Sequence, residues 1–129
     1  MGGGPAGLYL GYLLKRNQPN ISIQIYEQNP KNSTWGFGVV FSDKALEFLH
    51  SDDPETYQRF LPKMETWTDL KLDLLGKNVV IDGIGFASIG RMHLLQILKE
   101  RLNEVGLVPH YSNSITDIQQ IQKHDLIVG

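Results

Sequence analysis

Gly2, Gly4 and Gly7 stand at the spacing G-x-G-x-x-G within Met1-Gly2-Gly3-Gly4-Pro5-Ala6-Gly7, and Glu27 lies 20 residues beyond the last of them. These residue types at this spacing suit an adenosine diphosphate group. A pyrophosphate needs backbone N–H donors at close range, and glycines let the chain turn without a Cβ in the way. A helix N-terminus adds partial positive charge facing the anion. Pro5 fits the start of that helix, where its missing N–H costs nothing. Gly7 lets the helix pack closely. An acid at the end of the following strand accepts hydrogen bonds from ribose hydroxyls and disfavours a 2′-phosphate, so FAD or NAD suits the pattern better than NADP.

Certain elements must position these residues. Leu8 to Leu14 reads as the apolar part of a helix running from about Pro5 to Arg16, with Lys15 and Arg16 complementing its dipole. Ile21-Ser22-Ile23-Gln24-Ile25-Tyr26-Glu27 alternates as a strand, and Asn29-Pro30-Lys31-Asn32 breaks it. Trp35 to Ser42 reads as a loop. Ser42 or Asp43 caps a short helix with Ala45, Leu46, Phe48 and Leu49, and Asp52-Asp53-Pro54 opens another. Trp67 to Leu75 and Asn78 to Ile84 read as a hairpin. Leu94, Leu95, Leu98, Leu102 and Val105 recur at helical spacing after Gly90-Arg91, and Gly106 ends that helix. Leu107 to Tyr111 reads as a short strand, and His124 to Gly129 as the start of a buried one.

The order predicts an α/β fold: an incomplete Rossmann-like parallel sheet with flanking helices and a β-hairpin, forming one partial domain over residues 1–129. The strand expected to deliver the glycine turn would precede residue 1. On that expectation the 129 residues by themselves bind a dinucleotide weakly at best and catalyse nothing.

Composition narrows the function. A formal net charge of -2 offers no footprint for nucleic acid or an anionic membrane. Zero cysteines exclude disulfides, thiolate zinc sites and cysteine nucleophiles. No apolar run reaches the roughly 18 to 20 residues of a membrane span, and the start lacks the basic region of a signal peptide, so a cytoplasmic protein is expected. His50, His93, His110 and His124 have no partners at ligand spacing, so no metal site is expected. Ser42-Asp43 with His50 is no triad, because no nucleophile elbow surrounds the serine. No residue reads as a catalytic acid or base.

Several segments together resemble the N-terminal FAD-binding part of the group A flavin-dependent aromatic hydroxylases, most nearly the branch acting on CoA-linked aromatics. They are Gly2 to Tyr9, Tyr26-Glu27-Gln28-Asn29, Trp35-Gly36-Phe37-Gly38-Val39-Val40-Phe41-Ser42-Asp43, and Gly85-Phe86 with Ile89-Gly90-Arg91 and Leu94-Leu95. The resemblance implies that Gly2, Gly4, Pro5, Ala6 and Gly7 hold the FAD pyrophosphate. It implies that Glu27 holds the adenosine ribose with Gln28 beside it, and that Arg91 reaches the cofactor. The loop from Gly36 to Phe41 would lie toward the flavin ring. Asp125 to Gly129 is similar to the start of the family's second FAD motif. The implied reaction is hydroxylation of an aromatic small molecule, a CoA thioester in that branch, with NADH or NADPH as electron donor. A non-catalytic or degenerate nucleotide-binding fragment, and an NAD-dependent Rossmann enzyme, stand as alternatives.

Overall fold

The computed structural model describes all residues except Met1, Thr34 and Ile84. The chain divides into two compact units, one of residues 1–35 and 95–129, the other of residues 36–94.

The first unit is built on two helices. Helix α1 spans Pro5–Asn17, with proline in its first turn and Lys15 and Arg16 in its last. It buries Leu8, Gly11 and Tyr12. Helix α4 spans Arg91–Glu104 and buries Leu95, Leu98, Arg101 and Leu102 within this unit, its first turn belonging to the other. Gly106, at φ +76°, ends the helical stretch in a left-handed turn that suits glycine. The closest approach in the core falls at Gly11. A Cβ there would lie 2.8 Å from Ile25 Cδ1 and 3.4 Å from Leu102 Cδ1. Leu8 and Leu102 are fully excluded from solvent, with Ile25 nearly so. Arg101 is buried among them because its guanidinium lies over the Tyr12 ring, bonds the Tyr12 hydroxyl and pairs with Glu104 at 2.5 Å.

The expected strand from Ile21 to Glu27 is an extended segment with a single parallel bridge, between Tyr26 and His110. His110 N–H donates to the Ile25 carbonyl at 2.8 Å, and Glu27 N–H donates to the His110 carbonyl at 2.9 Å. Past Glu27 the ladder does not continue: Ser112 adopts φ +53°, and Asn113 rather than Ser112 donates to the Glu27 carbonyl. The strand read over Leu107 to Tyr111 therefore reduces to this bridge. The parallel sheet expected from the alternation of helix and strand does not form among the described residues. Residues 124–129 form no strand either; Leu126 is 76% exposed and carries no ladder.

The second unit is antiparallel. Strands β1 (Gly38–Ser42), β5 (Phe86–Gly90) and β2 (Met64–Trp67) pair in the order β1-β5-β2. Residues 38–42, read as loop, are thus a strand in register with β5, Gly38 opposite Gly90 and Ser42 opposite Phe86. Ala87 and Ile89 of the central strand are buried. Helices α2 (Asp43–Asp52) and α3 (Pro54–Phe60) follow β1 directly. Ser42 caps the first, and Asp53 caps the second through Thr56 N at 3.4 Å and Thr56 Oγ1 at 2.5 Å. Phe60 packs on Phe41, ring centroids 6.5 Å apart.

The expected hairpin is present but shorter. Strands β3 (Leu70–Leu74) and β4 (Lys77–Ile81) join through Leu75 and Gly76, both at positive φ. Trp67 belongs to β2 and pairs with Phe86, because its strand switches sheets before Leu70. Ile84, the last residue read into the second hairpin strand, lies outside the described residues.

Leu102→Ala should destabilise the chain by about 2–5 kcal/mol, since its methyls fill the contact beneath Gly11. Asp53→Ala should cost about 1–2 kcal/mol through loss of the α3 cap. Urea denaturation followed by circular dichroism reads both.

Candidate functional site

The glycine turn and Glu27 come together in the first unit. Gly4 is the N-cap of α1, with extended backbone at φ -75° and ψ 175°. Among the described residues no side chain caps this helix end and no acid lies in its first turn, so its N–H groups and positive dipole end face no protein anion from their own turn. Pro5 occupies the first helical position and Ala6 is exposed beside it.

Sterics explain the glycines unequally. At Gly7 a Cβ would meet the Gly2 carbonyl oxygen at 1.9 Å, so the turn folds back on its own backbone. At Gly2 and Gly4 a Cβ would meet nothing within 4 Å, so open space surrounds them. Gly3, the variable position of the motif, is the residue that sequence spacing passed over. A Cβ there would lie 2.8 Å from Glu27 Cβ and 3.0 Å from Glu27 Oε2. Its N–H instead donates to Glu27 Oε2 at 2.9 Å. Gln28 is exposed beside it.

Asn29, part of the breaker and of the segment Tyr26-Glu27-Gln28-Asn29, has no role assigned by the sequence. Its backbone N–H and side-chain Nδ2 both donate to Glu27 Oε1, at 2.8 and 2.7 Å. The signal available in the sequence was an Asx residue two positions after the acid, a spacing that permits such local bonds. The carboxylate's field extends further. Burial raises the Tyr111 phenol above its usual 10.0, and Glu27 adds to the rise. Burial and neighbouring Lys31 lower the Lys99 ammonium from 10.5, with Glu27 opposing them. Lys99 also donates to the Lys31 carbonyl at 2.6 Å and lies over the Tyr111 ring.

Arg91 belongs to the second unit, at the first position of α4. Its N–H donates to the Phe37 carbonyl at 3.1 Å, and its side chain passes 3.7 Å from where a Cβ on Gly36 would sit. Gly36 holds φ +93°, a conformation that favours glycine. The Arg91 Nε is buried and has no hydrogen-bond partner among the described residues. Phe37 beside it is fully exposed. The second unit thus gathers Arg91 with Gly36 and Phe37.

The chain is 32% identical over 128 residues to the salicyloyl-CoA 5-hydroxylase of a Streptomyces species, covering 99% of this chain and 25% of that protein. The chain is a relative of the group A flavin-dependent aromatic hydroxylases. A second member-like relative is the 3-hydroxy-4-methyl-anthranilyl-(aryl-carrier protein) 5-monooxygenase of Streptosporangium sibiricum, 25% identical over 99% of this chain and 36% of that protein. The chain therefore spans between a quarter and about a third of the length of these relatives. The fold is shared with the tetrameric form of 2-methyl-3-hydroxypyridine-5-carboxylic acid oxygenase, at a TM-score of 0.71 and 21% identity over 86% of this chain and 30% of that one. No protein-family model matches the chain. No helix among the described residues is long and apolar enough to cross a membrane.

For this hydroxylase relative, Gly7→Ala should destabilise by about 1–3 kcal/mol, because the clash is with backbone that cannot rotate away. Gly4→Ala should cost less than about 1 kcal/mol, since nothing crowds the site and only a poorer N-cap results. Thermal melts of the two variants measure the contrast.

Proposed function

We propose that these residues are part of the FAD-binding portion of an NADH- or NADPH-dependent monooxygenase that hydroxylates an aromatic ring. The observation that carries the reading is the Glu27 carboxylate held against the glycine turn, beside a helix N-terminus that has no side-chain cap. That arrangement fits one half of a dinucleotide: an anion at the helix end and a hydroxylated sugar at the acid. The two curated relatives support the remainder. Both are named for substrates carried as thioesters or acyl groups, one on CoA and one on a carrier protein. An aromatic acyl group so carried is the substrate class we infer for the whole protein.

Each residue takes a role that its surroundings allow. The N–H groups of the turn from Gly2 to Gly7, with Pro5 and Ala6 opening the helix, receive the pyrophosphate. Glu27 accepts from the adenosine ribose, and Gln28 flanks it. Arg91 offers a cation whose buried Nε has no acceptor among the described residues, which suits an anionic or carbonyl-bearing cofactor. When bound and reduced, the flavin supplies activation of oxygen and its transfer to the ring. The residues described here bind and orient; none of them serves as acid or base for the hydroxylation. With NADH or NADPH as donor, the parent protein works in the cytoplasm, where that donor is regenerated.

Titration of the protein with FAD, followed by flavin fluorescence, should show saturable binding that ADP competes away and that exceeds NAD binding at least about tenfold. Glu27→Gln should weaken FAD about tenfold or more, as loss of a charge-assisted acceptor implies. Equal FAD affinity in the wild type and Glu27→Gln would overturn the ribose assignment. Gly4→Ala should weaken FAD without the loss of stability that Gly7→Ala brings.

A further inference from the structure

The Glu27 carboxylate has about four lone-pair sites, two on each oxygen. Among the described residues, three of them are used. Oε1 receives both the Asn29 backbone N–H and the Asn29 Nδ2, at 2.8 and 2.7 Å. Oε2 receives, among these residues, the Gly3 N–H alone, at 2.9 Å. Both flanking contacts are built in by neighbouring backbone. The Glu27 N–H is tied to the His110 carbonyl, and the Asn29 carbonyl accepts from Ser112 N–H at 3.1 Å. The close approach at Gly3 leaves the carboxylate no room to slide toward the turn.

We propose that Asn29 is a positioning residue that saturates one oxygen of Glu27, so that the ribose is read through Oε2 by a single hydroxyl rather than by both. This inference rests on the ribose reading of Glu27 given above. Its consequence is an asymmetry between the two ribose hydroxyls. Removing the Asn29 side chain leaves one backbone donor on each oxygen, from Gly3 and from residue 29, and one open site on each. The carboxylate then becomes a symmetric acceptor for a vicinal diol.

The test compares ADP, 2′-deoxy-ADP and 3′-deoxy-ADP on the 129-residue chain, by NMR titration into the millimolar range. In the wild type, one deoxy analogue should bind about tenfold more weakly than ADP and the other within about twofold. In Asn29→Ala the second penalty should rise to match the first. Asn29→Ser, whose short hydroxyl does not reach Oε1 as the amide does, should behave the same way and serves if the alanine variant does not fold. A side chain with only a structural role would lower all three affinities by one factor and leave their ratios unchanged; that result overturns the proposal. Equal penalties for both analogues in the wild type overturn it as well, while leaving the ribose reading standing. Absence of ADP binding, or no penalty for either analogue, overturns the ribose reading and the proposal together.

Discussion

The geometry of the first unit's glycine turn and its acid depends on close approach at three glycines, two against side chains and one against backbone. Gly3 sits against Glu27, Gly7 against the Gly2 carbonyl, and Gly11 against Ile25 and Leu102. At each, a single methyl would collide at 2.8 Å or less. The first contact brings an acid to the turn, the second shapes the turn, and the third seats α1 on the core that includes Ile25, two residues before that acid. The site is a consequence of absent side chains as much as of present ones.

The second unit solves a different problem. Its central strand β5 is covered on both edges by antiparallel partners, and two short capped helices lead away from β1. The unit carries Arg91 at the point where β5 gives way to α4, where its backbone N–H is tied to Phe37 while its buried Nε has no hydrogen-bond partner among the described residues. Phe37 and Trp35, both exposed, lie in the same stretch of sequence as the segment resembling the hydroxylases.

Legibility varied with the range of the forces involved. Helices α1 and α4 were readable because the apolar spacing, Pro5 and Gly106 act within a few residues. The hairpin turn at Leu75-Gly76 was readable for the same reason. Strand β1 read as loop because Gly36, Gly38 and the aromatics give no clean alternation; it is a strand because β5, some fifty residues later, supplies its hydrogen bonds. Conversely, the isoleucines of residues 21–25 alternate well, yet among the described residues the segment makes one bridge, at Tyr26, and the left-handed Ser112 ends the pairing beyond Glu27. The glycines and Glu27 were found by spacing. Gly3 and Asn29 were missed because spacing identifies motif positions, not the atoms that crowd or brace them.

The sequence by itself determined the two main helices, the hairpin, the glycine turn with its acid 20 residues on, and the kinship to flavin-dependent hydroxylases, all carried by local propensity or motif. Only the tertiary structure decided that Gly3 touches Glu27 across 24 residues, that Asn29 occupies one oxygen of that carboxylate, and that β1 pairs with β5. The physical reason is that hydrogen bonds and steric contacts between distant segments depend on where folding brings them, and no periodicity along the chain encodes that distance.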